Sequence, residues 1–206
     1  MMESAGQPRQ AVDVLDDDGL DLLFRQGRSH NGWLPRSVDQ ALLRQLWELV
    51  RYAPTAVNGM PARLVFVTSE EGKKRLEPCL SPGNVEKVMA APVTAIIGYD
   101  TAFWEHLPTL FPHADVQAMF SEDQAIAELT AFRNSSLQGA WLMLAARALG
   151  LDCGPMSGFD GERLDQTFFA GTRIRANFLC NIGYGDPSRL YPRLPRLSFE
   201  QACSFA

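Results

Sequence analysis

Two polar segments near opposite ends of the sequence carry side chains that suit the binding of an anion. These segments contain Arg28, Ser29, His30 and Asn31 in the first and Arg193 and Arg196 in the second. A guanidinium group offers paired donors that match a phosphate, so the arginines and a hydroxyl could hold a phosphate without a glycine-rich loop. The alternative interpretation, from the residues alone, is a set of solvated arginines at the surface.

Three further polar segments border predicted elements and could meet a flat polar ligand. They are Pro54, Thr55 and Asn58; Asn84 and Lys87; and Pro155, Met156, Ser157 and Gly158. The side chains of Asn84 and Lys87 share one helix face because they lie three positions apart. Gly158 has no side chain, so a ligand could approach the backbone closely there. A helix cap or an ordinary turn is the alternative for each segment taken alone.

Several common kinds of site have no motif in this chain. The sequence contains no G-x-G-x-x-G after a strand, no P-loop and no G-x-S-x-G, which disfavours a Rossmann site, a P-loop nucleotide site and a serine hydrolase. The four cysteines form no C-x-x-C pair, and the three histidines form no H-x-x-x-H pair. We therefore expect four reduced thiols and no metal site.

Charge and hydropathy disfavour two classes of partner. The 206 residues carry a formal net charge of −5, whereas a nucleic-acid-binding protein usually presents a basic face. The N-terminus lacks the pattern of a signal peptide, and no apolar run approaches the roughly 18 residues of a membrane span. We expect a cytoplasmic protein with neither a nucleic acid nor a membrane partner.

The order of the predicted elements indicates an α+β fold with a mixed central β-sheet flanked by helices. Helical periodicity covers residues 14–26, 39–52, 69–78, 84–90 and 161–169, and strand patterns cover residues 63–68, 93–100 and 177–184. The continuous apolar run at 93–100 predicts a central strand. Residues 1–12 are expected to be a disordered tail, and residues 13–206 to form one domain.

The stretch from 126 to 159 is the element around which the chain is organised. Between residues 137 and 149, apolar and small residues occupy every face of a predicted helix, with Gln138 and Arg147 the only fully polar side chains. A helix of this kind is buried in a core or between subunits. It ends at Gly150 and leads into the loop sequence LDCGPMSGF. The preceding aromatic stretch, 101–122, is either a lid or a hydrophobic satellite packed on the core.

Several of these segments together resemble the FMN-dependent nitroreductase family. They are RSHNGW, APTAVN, NVEKVMAAPVTAII, GLDCGPMSGFD and NIGYGD with YPRLP. The resemblance extends from about Gly19 to the end of the chain. HNGW, AFRNSSLQGAWL and RLPRLSFEQAC resemble one subgroup, the malonic semialdehyde reductases of pyrimidine catabolism. The resemblance implies a nitroreductase-like fold and an obligate homodimer, with the long helix at its interface and two FMN sites shared between subunits.

The resemblance also implies roles for the two anion-binding segments. Positions that hold the FMN phosphate and ribityl chain are matched by Arg28, Ser29 and Arg193, with His30 and Asn31 in the same first loop. Many relatives carry a basic residue where this chain has Asn31, and another where it has Tyr191. Because Asn31 is uncharged, Lys87 is the better candidate for the cation near flavin N1. Because Tyr191 is uncharged, Arg196 would supply the missing positive charge at the phosphate.

The remaining segments match positions around the flavin ring. The loop that a partner subunit brings to the flavin is matched by Pro54, Thr55 and Asn58. Residues at the pyrimidine edge of the ring are matched by Asn84 and Lys87. The segment behind the ring is matched by Pro155, Met156, Ser157 and Gly158, where the Ser157 N–H would face N5.

The function implied by this resemblance is a ping-pong hydride transfer. NADH or NADPH would reduce FMN at N5, and the same slot would then admit malonic semialdehyde (3-oxopropanoate) and yield 3-hydroxypropionate. No side chain is assigned as a catalytic acid, and the cation for the substrate carboxylate is left open among Lys87, Arg133 and His30. The alternatives are a nitroaromatic, quinone or halogenated aromatic acceptor, and a flavin-binding dimer without turnover.

Overall fold

The computed structural model describes residues 14–206, so the expected disordered tail at 1–12 lies outside the described residues. The α-helices are α1 (Asp17–Leu20), α2 (Gln40–Val50), α3 (Glu70–Leu76), α4 (Pro82–Ala90), α5 (Leu107–Leu110), α6 (Gln117–Ser121), α7 (Gln124–Ala148), α8 (Gly161–Phe168) and α9 (Phe199–Ala202). The strands are β1 (Ala62–Val67), β2 (Val93–Asp100), β3 (Asp152–Met156) and β4 (Ile174–Gly183). A π-helical turn continues α1, and short 3-10 turns cover Ala56–Asn58, Glu77–Cys79, Phe103–His106 and Pro187–Arg189.

The four strands form one sheet in the order β1-β2-β4-β3, and all three pairings are antiparallel. The expectation of a mixed sheet is therefore wrong for the named strands; a parallel bridge joins Ser29, which lies outside them, to Cys153 of β3. The prediction that residues 93–100 form a central strand is confirmed. Their continuous apolar run reflects cover on both faces of the sheet, which a central antiparallel strand can have as well as a parallel one.

Helix α7 packs against the sheet through small side chains. The buried positions on this face include Ala127, Ala131, Ser135, Gly139 and Ala146. A Cβ on Gly139 would lie 2.4 Å from Cζ of Phe178, so the glycine permits the helix to approach β4 closely. Gln138 joins the same face to β1, since its Oε1 accepts a hydrogen bond of 2.9 Å from the Ala62 N–H.

The opposite face of α7 is exposed in the single chain, so the core alone does not bury this helix on every face. Its exposed apolar side chains, here called the α7 stripe, are Ile126, Leu129, Phe132, Leu137 and Trp141. Within residues 14–206 these side chains keep 39–55% of their surface exposed. The sequence pattern was apolar on every face because the sheet covers one side and the other presents an apolar surface to its surroundings.

The aromatic stretch 101–122 forms a hydrophobic satellite, the second of the two interpretations of its sequence. The rings of Phe103 and Phe120 meet edge to face with their centroids 5.0 Å apart. Both are buried, and they cluster with Leu107 and with Ala127 and Ala131 of α7. The stretch therefore packs on the N-terminal half of α7.

A buried polar network fixes the last turn of α4. Lys73 is only 6% exposed, and its Nζ donates hydrogen bonds of 2.7 Å to the Val88 carbonyl and 2.6 Å to Thr94 Oγ1. Thr94 Oγ1 donates to Asn181 Oδ1 at 2.7 Å, and Asn181 Nδ2 donates to the Lys87 carbonyl at 3.0 Å. The ammonium group has no carboxylate partner among the described residues, and burial lowers the pKa of Lys73 to about 8.

The close packing at Gly139 can be tested by substitution. We predict that Gly139→Ala lowers the free energy of unfolding by about 1–3 kcal/mol, because the new Cβ displaces the Phe178 ring. Gly83→Ala in α4 is the matched control, since no atom lies within 4 Å of its added Cβ, and it should raise stability by up to ~1 kcal/mol. Urea denaturation measures both. A Gly139→Ala variant as stable as the parent would contradict the packing.

The buried ammonium of Lys73 predicts a pH dependence of stability. Between pH 8 and 10.5 the unfolded chain retains a proton that folded Lys73 has lost, so stability rises with pH across this window. We expect the parent protein to gain up to about 3 kcal/mol relative to Lys73→Met over that range. Urea unfolding of both proteins from pH 7 to 11 measures the difference, and parallel pH profiles would show that Lys73 is not responsible.

Candidate functional site

An open cavity of about 560 Å³ lies where four parts of the chain meet. Its walls are the loop 27–31, the C-terminal half of α7, the strand β3 and the tail 191–196. The volume is typical of a site for a small ligand. The cavity has a basic end, formed by arginines, and an apolar wall that includes Ala140, Met143 and Leu144.

The basic end brings together the two polar segments that the sequence analysis selected for anion binding. Arg28, Ser29, Arg193 and Arg196 all line the cavity. The loop and the tail are tied to each other, because Arg28 donates to the Tyr191 carbonyl and Arg193 donates to the Gly27 carbonyl at 3.2 Å. Gly27 and Arg193 are 166 residues apart in the sequence. The convergence of these segments is a property of the fold, not of their spacing.

Arg147 also lines the basic end, and it is not among the predicted site residues. Its Nε donates to the Leu22 carbonyl at 2.7 Å, and one terminal nitrogen lies 3.6 Å from Asp152 Oδ1. The signal was present in the sequence, because Arg147 is the one charged residue in the apolar stretch 137–149. A charge in such a stretch requires a partner or a polar cavity.

The two residues that follow Ser29 have different positions. Asn31 lines the cavity, whereas the His30 side chain is buried behind the loop, and its Nε2 lies 3.4 Å from Asp152 Oδ1. The ring packs on Gly185 so closely that an added Cβ there would lie 1.9 Å from Nδ1. Burial lowers the pKa of His30; Asp152 opposes the shift, and Arg147 and Arg28 add to it. The structure therefore gives His30 no contact with the cavity.

The segment at the end of β3 forms the wall opposite the tail. Pro155 and Cys153 line the cavity, and Ser157 is exposed just beyond the strand. Contact with the Cys180 thiol and burial raise the pKa of Cys153 well above its usual range, so its neutral thiol serves as wall and not as nucleophile. The Met156 side chain packs away from the cavity, against the core cluster that contains Leu76.

Asn84 and Lys87 lie outside the cavity wall, as does Gly158, to which Asn84 is hydrogen-bonded. Asn84 Nδ2 donates to the Gly158 carbonyl at 2.9 Å, and an added Cβ on Gly158 would come within 2.6 Å of the same nitrogen. Lys87 is half-buried, its carbonyl is held by Asn181, and its ammonium forms no ion pair with any described residue. One side of α4 therefore borders the segment that follows β3.

Pro54, Thr55 and Asn58 are not among the residues that line the cavity of their own chain. Their loop is held at the N-terminal side of α7, because the Ala56 N–H donates to Asn134 Oδ1 at 2.8 Å and Asn58 Nδ2 donates to the Leu110 carbonyl at 2.9 Å. Thr55 Oγ1 accepts from the Met60 N–H at 3.2 Å.

The backbone of this loop is strained. Val57, Asn58 and Met60 have φ values of 49°, 52° and 42°, in the left-handed region that non-glycine residues seldom adopt. A β-branched residue in this region is especially rare, and such strain is often stored at functional sites. The hydrogen bonds to Asn134 and Leu110 keep the loop in one conformation.

The chemistry of the cavity is that of a binding site for a ligand with an anionic group and an apolar or flat body. Among residues 14–206 no group of three His, Cys, Asp or Glu side chains is arranged to hold a metal ion. Over the same residues, no helix is long and apolar enough to cross a membrane. Arginine forks at one end and backbone groups at the other would orient such a ligand across α7.

Comparison with known proteins identifies the fold and the family. Residues 25–184 match the sequence profile of the nitroreductase family. A protein of Cupriavidus pinatubonensis, provisionally named an NADH dehydrogenase/NAD(P)H nitroreductase, is 60% identical over 190 residues, covering 91% of this chain and 97% of its own length. A relative from Ralstonia pickettii has the same provisional name with the addition HadB. It is 56% identical over 190 residues, covering 91% of this chain and 97% of its own length.

A solved structure gives the same result for the fold. A nitroreductase from Exiguobacterium sibiricum in complex with FMN superimposes with a TM-score of 0.83, at 22% identity, covering 93% of this chain and 98% of that chain. The expected nitroreductase-like α+β fold is thereby confirmed. The profile match spans well over half of the sequence, and the relatives cover nearly all of it. This chain belongs to the nitroreductase family.

Proposed function

We propose that this protein is an FMN-dependent NAD(P)H oxidoreductase and that its flavin occupies the cavity beside α7. The convergence of Arg28 and Arg193 on one end of that cavity carries the proposal, because it provides a site for a phosphate next to an apolar wall. The FMN bound by the Exiguobacterium sibiricum protein and the NAD(P)H in the names of the close relatives support it. We also infer that residues 13–206 form one FMN-binding domain and that the protein is cytoplasmic.

The chain supplies contacts for each part of the cofactor. The phosphate and ribityl chain would be held by Arg28, Ser29, Arg193 and Arg196, with Asn31 on the same loop. Pro155, Ser157 and Gly158 would lie behind the ring, and the Ser157 backbone N–H would point toward N5. His30 and Met156 support these segments from the protein side, since neither side chain reaches the cavity.

When bound, FMN would supply the hydride chemistry between NADH or NADPH and the second substrate. The protein contributes orientation and electrostatics. Asn84 would meet the pyrimidine edge of the ring through the face of α4 that borders Gly158. The Lys87 ammonium would place a positive charge at the same edge, where it favours the accumulation of negative charge. The buried network at Asn181 and Lys73 fixes the backbone from which Lys87 projects.

We further propose a homodimer in which the α7 stripe of one copy packs against that of the other. A self-complementary interface of this kind would bury the apolar residues that the single chain leaves exposed. It would also allow the Pro54, Thr55 and Asn58 loop of each chain to reach the flavin of its partner. The rigid, strained conformation of that loop, away from its own cavity, supports this arrangement.

The acceptor that we favour is malonic semialdehyde. The segments HNGW, AFRNSSLQGAWL and RLPRLSFEQAC, which are similar to those of the malonic semialdehyde reductases, support this choice. Hydride and proton addition to the aldehyde give 3-hydroxypropionate. Lys87 and Arg133 remain candidates for the substrate carboxylate, whereas the buried position of His30 removes it. Reduction of nitroaromatic, quinone or halogenated aromatic compounds is the second candidate, supported by the names of the close relatives and by the apolar cavity wall.

The purified protein should be yellow, and denaturation should release FMN. We expect NADH or NADPH to bleach the flavin anaerobically and steady-state kcat/KM to be higher for 3-oxopropanoate than for a nitroarene or a quinone. Values orders of magnitude higher for the aromatic acceptors would overturn the aldehyde assignment. A yellow protein that neither NADH nor NADPH bleaches would be a non-catalytic flavin-binding dimer. A colourless protein that FMN cannot reconstitute would overturn the proposal.

The dimer proposal predicts that Leu137→Asp separates the subunits and lowers FMN occupancy. Leu137 is 48% exposed in the single chain, and each buried leucine contributes about 1.5–3 kcal/mol, counted twice across a two-fold interface. Met119→Asp, at an exposed apolar residue of α6 outside the stripe, is the control. Light scattering after size exclusion measures the mass, and absorbance measures bound flavin. A parent protein that is monomeric and fully loaded with FMN would contradict the dimer.

A further inference from the structure

Arg147 has an environment unlike that of the other arginines at the basic end of the cavity. Its side chain is only 13% exposed, although it lies on the last turn of α7 and lines an open cavity. The negative end of the helix dipole favours a cation at this position. A guanidinium group held mostly out of water beside a cavity is well placed to bind an anion there strongly, because solvent screens the interaction less.

Two contacts orient the guanidinium group of Arg147 without using all of its donors. Nε donates to the Leu22 carbonyl at 2.7 Å, and one terminal nitrogen lies 3.6 Å from Asp152 Oδ1, beyond hydrogen-bond distance. Asp152 is itself held by the Gly185 N–H at 3.0 Å and by His30 at 3.4 Å. Arginine has five N–H donors, so terminal N–H groups remain for a ligand in the cavity.

Gly27 lies beside the Arg147 guanidinium group. A Cβ at this position would lie 3.4 Å from Arg147 Nε, an ordinary contact, and 3.3 Å from the Phe24 carbonyl. The Gly27 carbonyl is also the acceptor for Arg193. The backbone at Gly27 is therefore in contact with two arginines that belong to different parts of the chain. Arg196, by comparison, donates to the carbonyls of Leu194 and Pro195 in its own segment.

We propose that Arg147 is a phosphate ligand of the cofactor and that it makes the site selective for a phosphorylated flavin over riboflavin. Asp152, supported by His30, is a positioning residue that directs the guanidinium group toward the cavity. Arg147 from the helix, Arg28 from the loop and Arg193 from the tail would then place three cations around one phosphate dianion. This inference rests on the proposed function, since it requires that FMN binds in this cavity.

The test compares the Kd of FMN with the Kd of riboflavin, measured by quenching of flavin fluorescence on the apoprotein. Arg147→Gln should weaken FMN binding by ~10- to 100-fold, the effect of losing one charge-assisted hydrogen bond. Riboflavin binding should change by less than ~3-fold, because riboflavin lacks the phosphate that Arg147 would contact. Asp152→Asn should also weaken FMN binding relative to riboflavin binding, but by a smaller factor than Arg147→Gln. Arg44→Met, an exposed arginine on α2 away from this cavity, should leave both constants unchanged.

The outcomes separate this inference from the proposal on which it rests. If the parent protein binds FMN and the Arg147→Gln variant prefers FMN over riboflavin as strongly as the parent does, Arg147 is not a phosphate ligand and the proposed function stands. Equal losses of FMN and riboflavin affinity would give Arg147 a structural role and also overturn the inference. Where Arg147→Gln does not fold, Arg147→Met, which removes the charge and keeps the apolar stem, is measured in its place, and a parental FMN preference in that variant overturns the inference. A parent protein that binds neither flavin overturns both.

Discussion

The close approach of α7 to the sheet, at Gly139 above the Phe178 ring, is the packing constraint on which the other parts of the structure depend. One helix, placed by that contact and by the bond from Gln138 to β1, positions three functional regions. Its C-terminal half forms a wall of the cavity and carries Arg147. Its N-terminal half holds the strained loop through Asn134. Its outer face carries the apolar stripe, which we propose packs against a second copy of the chain.

Electrostatics then divides the site into two ends. At one end, arginines from the loop 27–31, α7 and the tail concentrate positive charge around a space suited to a phosphate. Lys87, which lies outside the cavity wall, carries an ammonium without an ion-pair partner among the described residues, on a helix fixed by the buried Lys73 network. We propose that it meets the other end of the flavin. The buried charge of Lys73 is costly because no carboxylate neutralises it. The hydrogen bonds of the same network hold the end of α4 in place beside Gly158.

Much of this arrangement could be predicted from the sequence. Apolar runs located β1, β2 and most of β4, and the residue types of the polar segments together with the family resemblance indicated Arg28, Ser29 and Arg193. Strand direction could not be read in this way, because a strand covered on both faces has the same composition in parallel and antiparallel sheets. The inward position of His30 depends on Gly185, and the Arg147 guanidinium group lies against Gly27. Both contacts join segments far apart in the chain, so no local pattern reveals them.

The central claim is that each flavin site is assembled from two copies of the chain across α7. A crystal structure of the protein loaded with FMN tests it most directly. The account predicts a dimer joined through the α7 stripe, with the phosphate at Arg28, Arg147 and Arg193 and the ring against the segment after β3. The Thr55 loop of the partner subunit should contact that ring. A flavin enclosed by one chain alone, with the α7 stripe facing solvent, would contradict the account.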